Sequence, residues 1–598
     1  MAWYDEAVFY HIYPLGLAGA PKQNDYGEPV HRLNTLLPWV DHIKEIGGSA
    51  LYIGPLFESV GHGYETTDYK KLDSRLGTNE DLTAFVAYCH EQGIKVIFDG
   101  VFNHTGRDFF AFKDIQANRE NSQYKDWYCN VNFWGNNEYN DGFSYDNWGG
   151  YNLLVKLNQK NPAVVDYICD VIRFWVSEFD VDGIRLDAAD VLDFDFMKAL
   201  RRTANEVKPD FWLMGEVIHG DYSRWVNGET LHSVTDYTLH KALYSGHNDH
   251  NYFEIAHTVR RLQNMGTLKL YNFVDNHDVE RIYTKLTNKA HFAPVHVLLY
   301  TLPGVPSIYY GSEFGIEGRK EYGSDDSLRP ALNIEDYKDS VKTNPCTALI
   351  AALGKVRQAV PALSYGSYAE LMLTNRQFAY ARDLDGTRVI VSVNNDDAPA
   401  GMHLAAGNCA AYIGALSGEK VSVQDGHINI TQPANSGEIW VPEGTDLNVK
   451  PVKAQGVNVE NTNSINTNIE ASSVDTEKAT DMVVEDTQSE TTKAEDTKVA
   501  APKAETAKTA SENTASETTA KESESESTPI ATASDDPADP ETITVDWSKS
   551  PESMTVPELQ AAVLAKLSGN GPVDAQMKKT VTDNIWHDSL VNWLKSFR

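Results

Sequence analysis

Gly183-Ile-Arg-Leu-Asp187 decides the fold. It is a short apolar run broken by one arginine and closed by one aspartate. Side chains in a strand alternate with period two, so Arg185 and Asp187 share a face while Ile184 and Leu186 face the other way. Amphipathic helical stretches predicted over 162–178 and 194–205 flank it. A strand between two helices belongs to a parallel sheet covered on both sides. Outward from this unit the same alternation recurs. Strand-like runs occupy 8–13, 50–53, 96–99, 183–186, 212–215, 233–236, 270–274 and 307–310, with further helices over 37–46, 79–92 and 293–301. Eight such repeats predict a (β/α)8 TIM barrel, whose functional groups project from the C-terminal ends of its strands.

The chain has 598 residues, enough for several domains. The barrel is assigned to 1–365, with a small inserted domain at 102–160 after the third strand. Ten aromatic residues lie between Tyr124 and Tyr151 of that insert. At least half are expected to be core, because a segment of that size has little else to bury. Short alternating strands such as 378–382 and 388–393 predict a C-terminal β-sandwich over 366–447. Composition then shifts. Residues 451–540 hold no Phe, Trp, Tyr, Cys or Arg, and carry 19 acidic residues against 7 Lys. A disordered acidic linker is therefore assigned to 448–545, since nothing there offsets the entropy of ordering. A helical hairpin is assigned to 546–598. It opens at the capping box Thr555-Val-Pro-Glu558, runs through Leu567 and turns at Gly569-Asn-Gly571-Pro572. A second helix from about Asp574 carries Ile585, Leu590, Trp593, Leu594 and Phe597. So small a unit should dock on its own barrel or on a protein partner.

A formal net charge of −33 opposes binding to nucleic acid and to anionic membrane surfaces. No run approaches the length of a transmembrane helix. Met1-Ala-Trp-Tyr-Asp-Glu6 lacks the basic-then-apolar pattern of a secretory leader. Five cysteines at unpaired spacings signal neither zinc nor a disulfide framework. The expected location is cytoplasmic.

Polar residues at the strand ends carry the chemistry. Asp99 leads to Asn103-His104, Arg185 precedes Asp187, Glu216 follows the fifth strand, and Asn276-His277-Asp278 follows the seventh. Each alone reads as a polar turn or a structural ion pair. Together, at separate strand ends, they converge on one mouth. The chain resembles the α-amylase family of glycoside hydrolases (family 13) from about Ala2 to Pro442. The blocks appear in order: Asp99-Gly-Val-Phe-Asn-His104, Gly183-Ile-Arg-Leu-Asp-Ala188, Glu216-Val217 and Phe273-Val-Asp-Asn-His-Asp278. Supporting blocks are Gly48–Pro55, Leu154-Val-Lys-Leu-Asn158 and Gly304–Gly311. His62–Tyr69 resembles the loop that lines the first sugar subsite. The Leu154–Asn158 block is closest to the intracellular maltodextrin-degrading branch, the cyclomaltodextrinases and maltogenic amylases.

The resemblance implies a retaining α-glucan hydrolase acting on α-1,4 bonds of maltodextrins, with Asp187 as nucleophile, Glu216 as general acid/base and Asp278 holding sugar hydroxyls. Retention needs two carboxyls about 5–5.5 Å apart, one ionised and one protonated. Arg185 is expected to keep Asp187 anionic, and the charges of Asp187 and Asp278 to raise the pKa of Glu216. His104 and His277 would donate hydrogen bonds to sugar hydroxyls, and Tyr64 would stack under the ring. One departure stands out. Ala189-Asp190 follows Ala188 where secreted relatives often have Lys-His. Calcium is only weakly supported, by Asn103 alone, because the ion wants six to eight oxygens; no cofactor is required. Glycosyl transfer on the same carboxylates (a 4-α-glucanotransferase) and a catalytically dead glucan-binding or adaptor protein remain the alternatives.

Overall fold

All four residues of Gly183–Leu186 are buried, the condition of a strand covered on both faces. The computed structural model describes residues 2–447 except 267, 322 and 323. It also describes positions 452, 545, 549, 550, 554–568, 581 and 594. Two units, Met1–Asp475 and Thr476–Arg598, are taken separately.

The first unit is built on eight parallel strands, β1 (Phe9–Ile12), β2 (Ala50–Ile53), β3 (Lys95–Gly100), β4 (Gly183–Leu186), β5 (Trp212–Gly215), β6 (Ser233–Val234), β7 (Tyr271–Phe273) and β8 (Val305–Tyr309). They pair in sequence order, and β8 returns to β1. The β6–β7 seam is made by Thr235 opposite Tyr271, with the Asp236 N–H donating to the Tyr271 carbonyl at 2.9 Å. The barrel is thus closed almost completely. Its floor is filled by inward-facing rings and aliphatics, where Phe9 stacks on Trp212 at 5.0 Å and Met214 and Tyr271 complete the layer. A filled floor leaves only the opposite mouth open to a ligand.

Helix Pro162–Phe179 illustrates how the wall forms. Asn161 caps its first turn by accepting from the Ala163 N–H, and Pro162 supplies a preset φ. Val164, Ile168, Val171, Ile172, Trp175 and Phe179 form the buried stripe. Trp175 lies flat against Phe57 at 4.4 Å and donates its Nε1–H to the Tyr69 carbonyl at 2.7 Å. That bond ties the helix to the strand Thr66–Leu72 that follows Tyr64.

The insert holds a three-stranded sheet of His104–Thr105, Asn147–Trp148 and Tyr151–Lys156, with His104 paired to Lys156. Of its ten rings, Tyr124, Trp127, Tyr128, Phe133, Phe143 and Tyr145 pack into the core, whereas Trp134, Tyr139 and Tyr151 are exposed. Beyond the barrel come a six-stranded antiparallel sheet and the pair Ala400–Ala405 with His427–Gln432. Met402, Leu404, Ile428 and Ile430 pack on Ile390, Tyr412 and Trp440 in a core of their own.

In the second unit, helix Val556–Ser568 follows the Thr555 cap, whose N–H donates to Glu558 Oε2 at 2.7 Å. Leu559, Ala562 and Val563 cluster with Val581 and Leu594. The linker assigned to 448–545 and the second helix expected from Asp574 otherwise fall outside the described residues. Among the described residues no helix is long and apolar enough to cross a membrane.

Three wall histidines give a pH prediction. Burial lowers His240 and His247 to about 3 and His296 to about 4. Below about pH 6.5 the unfolded chain binds protons that these folded imidazoles refuse, so stability falls as pH falls. Each adds up to ~1.4 kcal/mol per pH unit until its folded pKa is reached. Urea unfolding should give a smaller free energy at pH 5 than at pH 7, and a flat profile would contradict it.

Candidate active site

Parallel pairing of β3 with β4 sets Asp99 directly opposite Arg185. The arginine is buried, and a buried guanidinium must find acceptors. Its Nη1 donates to Asp99 Oδ1 and to Asp187 Oδ1, each at 2.8 Å, and its Nη2 lies 2.8 Å from Glu216 Oε2. One cation therefore serves three carboxyls from the ends of three adjacent strands. Asp99 is held from its other side by the hydroxyls of Tyr52 (2.8 Å) and Tyr64 (3.1 Å).

This geometry corrects one expectation. Arg185 does not by itself hold the Asp187 carboxyl low. Burial raises its pKa well above the usual carboxylate range; Arg185 opposes this, while Glu216 and Asp99 add to it. A single positive charge shared three ways cannot compensate three anions in a desolvated site.

Local backbone geometry brings Glu216 to Asp187. Ala188 adopts a left-handed conformation (φ 46°, ψ 43°), which for a residue with a Cβ costs ~1–2 kcal/mol. The turn aims the Ala188 N–H at Glu216 Oε2, 3.1 Å away. The Tyr237 hydroxyl donates to Glu216 Oε1 at 3.3 Å and is itself held by Asn276 Nδ2 at 3.2 Å. Both carboxyl oxygens of Glu216 are positioned by groups on other elements.

Asp278 is built differently. Asn276 Oδ1 accepts from the Asp278 and Val279 N–H groups, folding the loop after β7 back on itself. His277 Nε2 lies 3.0 Å from Asp278 Oδ2, and Arg329 Nη2 donates to Asp278 Oδ1 at 2.9 Å. Arg329 Nε also holds the His277 carbonyl at 3.0 Å. Burial alone would raise the Asp278 carboxyl, but His277 and Arg329 outweigh it and hold the group far below the ordinary range. Asp278 is the firmly anionic carboxylate of the mouth.

The seven predicted site residues thus fall into linked groups. Arg185, Asp187 and Glu216 form one; Asp278, His277 and Tyr64 form the other, with the Tyr64 hydroxyl against His277 Nε2. Asp99 joins them through its bonds to both Arg185 and Tyr64. His104 stands beside the Tyr64 backbone, and burial lowers its pKa to about 3, so its imidazole is neutral. Its Nε2 is buried without a hydrogen-bond partner, as is His277 Nδ1. The expected donation from His277 to a sugar is therefore left to Nδ1, because Nε2 is engaged within the site.

Sequence reasoning missed Tyr52, Tyr237 and Arg329, and named Asp99 only as a strand end. Tyr52 and Asp99 obey the same inward period as Arg185 and could have been found. Arg329 lies in a loop 51 positions beyond Asp278, with no local signal.

Asn103, the residue on which a calcium expectation rests, makes hydrogen bonds within the protein. The nearest partner of its Oδ1 is Gln159 Nε2 at 3.5 Å, and its Nδ2 faces His104 Nδ1. Among the described residues no three carboxylate, imidazole or thiol groups converge as metal ligands.

Removing Arg329 should separate its role from folding. Arg329→Met removes the guanidinium that helps hold Asp278 low, so its carboxyl protonates at higher pH. The acid limb of kcat/KM on a maltooligosaccharide should move upward, with a loss of about 10²-fold at neutral pH from misplacement. An unmoved limb with wild-type rates would contradict it.

Residues 31–355 match the family model for the alpha amylase catalytic domain. A cyclomaltodextrinase of a Bacillus species is 31% identical over 422 residues, covering 66% of this chain and 74% of its own. Neopullulanase 2 of Thermoactinomyces vulgaris is 29% identical, covering 73% of this chain and 78% of its own. A solved cyclomaltodextrinase structure superposes with a TM-score of 0.65 at 27% identity, covering 73% of this chain and 78% of that one. With this family match and a nearly closed eight-stranded barrel bearing clustered carboxyls at its mouth, the chain belongs to the α-amylase family of glycoside hydrolases.

Proposed function

We propose that this chain is a retaining α-glucan hydrolase that cleaves α-1,4-glucosidic bonds in maltodextrins within the cytoplasm. The observation that carries the reading is the Arg185 guanidinium bridging Asp187 and Glu216, with the Ala188 N–H fixed on the second carboxyl. Retention requires one of these two carboxyls to carry a proton and the other to be ionised. A glycosidic oxygen, as an acceptor, draws that proton to Glu216 and leaves Asp187 ionised against Arg185. Asp187 then attacks the anomeric carbon. As the ester bond forms, the bond to the leaving sugar breaks and its oxygen takes the proton of Glu216. Water next attacks the anomeric carbon, Glu216 recovers a proton from it, and Asp187 leaves.

The remaining groups position the sugar. Asp278, anionic at every working pH, accepts from ring hydroxyls and gains strength as positive charge develops on the ring. Tyr64 lies under the ring, its hydroxyl fixed by Asp99 and His277. His104 and His277 offer ring nitrogens that have no other partner. The cytoplasmic location is supported by a relative named intracellular maltogenic amylase and by five unpaired cysteines. Substrate class is supported by the relatives' names and by an acidic chain that disfavours polyanions.

A time course on maltoheptaose tests this. Shorter oligosaccharides should accumulate, and Asp187→Ala or Glu216→Ala should each lower the rate by at least ~10³-fold. Near-normal activity in either variant would sink the assignment. Products longer than seven units would instead favour transglycosylation, and no reaction at all would favour a binding protein.

A further inference from the structure

The catalytic mouth leaves unused the most exposed aromatic ring among the described residues. Trp134 is 98% exposed, whereas its neighbour Phe133 packs inward. An indole can bury some 150–250 Å² on contact and offers a flat apolar face on which a ligand can stack. It stands in an open groove of about 680 Å³ lined by Glu120, Asn130, Asn132, Phe133, Tyr145 and Asp146. None of the seven site residues lines it.

The ring is displayed on a fixed turn. Trp134 donates its backbone N–H to Asn132 Oδ1 at 3.0 Å, and the Gly135 N–H donates to the Asn132 carbonyl at 3.1 Å. Asn132 and Ser144 exchange both backbone hydrogen bonds, at 2.8 and 3.0 Å. A Cβ at Gly135 would lie 2.3 Å from Ser144 Oγ, so the two segments approach as closely as glycine allows. Across the groove, Asn130 Nδ2 is locked on Asp146 Oδ2 at 2.8 Å. A rigid aromatic face bordered by amides and carboxylates suits a neutral polyhydroxyl ligand, which presents C–H faces to the ring and hydroxyls to the rim. Anionic ligands are opposed by Glu120, Asp146 and the chain's charge of −33.

The groove is also tied to the mouth. Asp146 leads into Asn147–Trp148, which pairs with Tyr151–Lys156, which pairs in turn with the strand of His104. We propose that this groove is a second α-glucan-binding site, with a sugar ring stacked on Trp134, that holds long chains on the molecule whose mouth cuts them. The choice of ligand rests on the hydrolase reading above.

The test compares long amylose with maltotriose for the full chain and for Trp134→Ala and Trp134→Tyr. On amylose, Trp134→Ala should raise KM about 10-fold with kcat unchanged, the equivalent of ~1.4 kcal/mol. On maltotriose both constants should stay within about twofold, and Trp134→Tyr should recover most of the amylose affinity. Equal losses on both substrates, or no change on either, would overturn the proposal. Electrophoretic retardation in starch gels separates it from the hydrolase reading. If the wild type cleaves neither substrate, that reading fails; retardation lost in Trp134→Ala would still support the groove, and equal retardation would overturn it.

Discussion

One guanidinium organises this molecule. Arg185 is an inward-facing cation on a strand whose other residues are all apolar or absent of side chain, and burying it unpaired would cost several kcal/mol. The parallel register answers that demand by placing Asp99 opposite it, and the strand end supplies Asp187 two residues on. Glu216 arrives from the next strand. The barrel's closure, its packed floor and its helical wall matter to function because they hold these strand ends at one spacing.

Organisation by a shared cation has a consequence for charge. Three carboxyls around one arginine cannot all be ionised cheaply, so Asp187 is pushed up rather than down. Asp278, facing His277 and Arg329, is pushed the other way. The mouth therefore contains one carboxyl raised by burial, Asp187, beside one held low, Asp278. That division follows from how burial and neighbouring charge balance at each carboxyl. The strained turn at Ala188 is part of the same arrangement, since its N–H orients Glu216 relative to the carboxyl that precedes it.

Much of this was legible in the sequence because the decisive signals are local. Gly183–Leu186 and Trp212–Gly215 end where their apolar runs end, and period two alone places Arg185 with Asp187. The wall helices announced themselves by spacing and by caps such as Asn161. The insert's dual character was legible too, although which rings face water was not. Phe133 and Trp134 are adjacent and of similar apolarity; only the turn pinned by Asn132 and Ser144 turns one inward and one outward. Arg329 and Tyr237 were illegible for another reason. Each reaches its carboxyl across a long loop or from a separate helix, and nothing in its neighbours marks the partner. The ionisation of Asp187 was misread because burial, a property of the folded ensemble, outweighs the adjacent charge that the sequence displays.

The central claim is that Asp187, in the cluster organised by Arg185, forms the covalent bond to the sugar. It is tested most directly by incubating the full chain with a 5-fluoro-α-glucosyl fluoride, which slows release of the glycosyl-enzyme. Peptide mass spectrometry then locates the adduct. The account predicts one sugar per chain, esterified to Asp187. A label on Glu216 or Asp278, or an active enzyme that never accumulates an adduct, would contradict it.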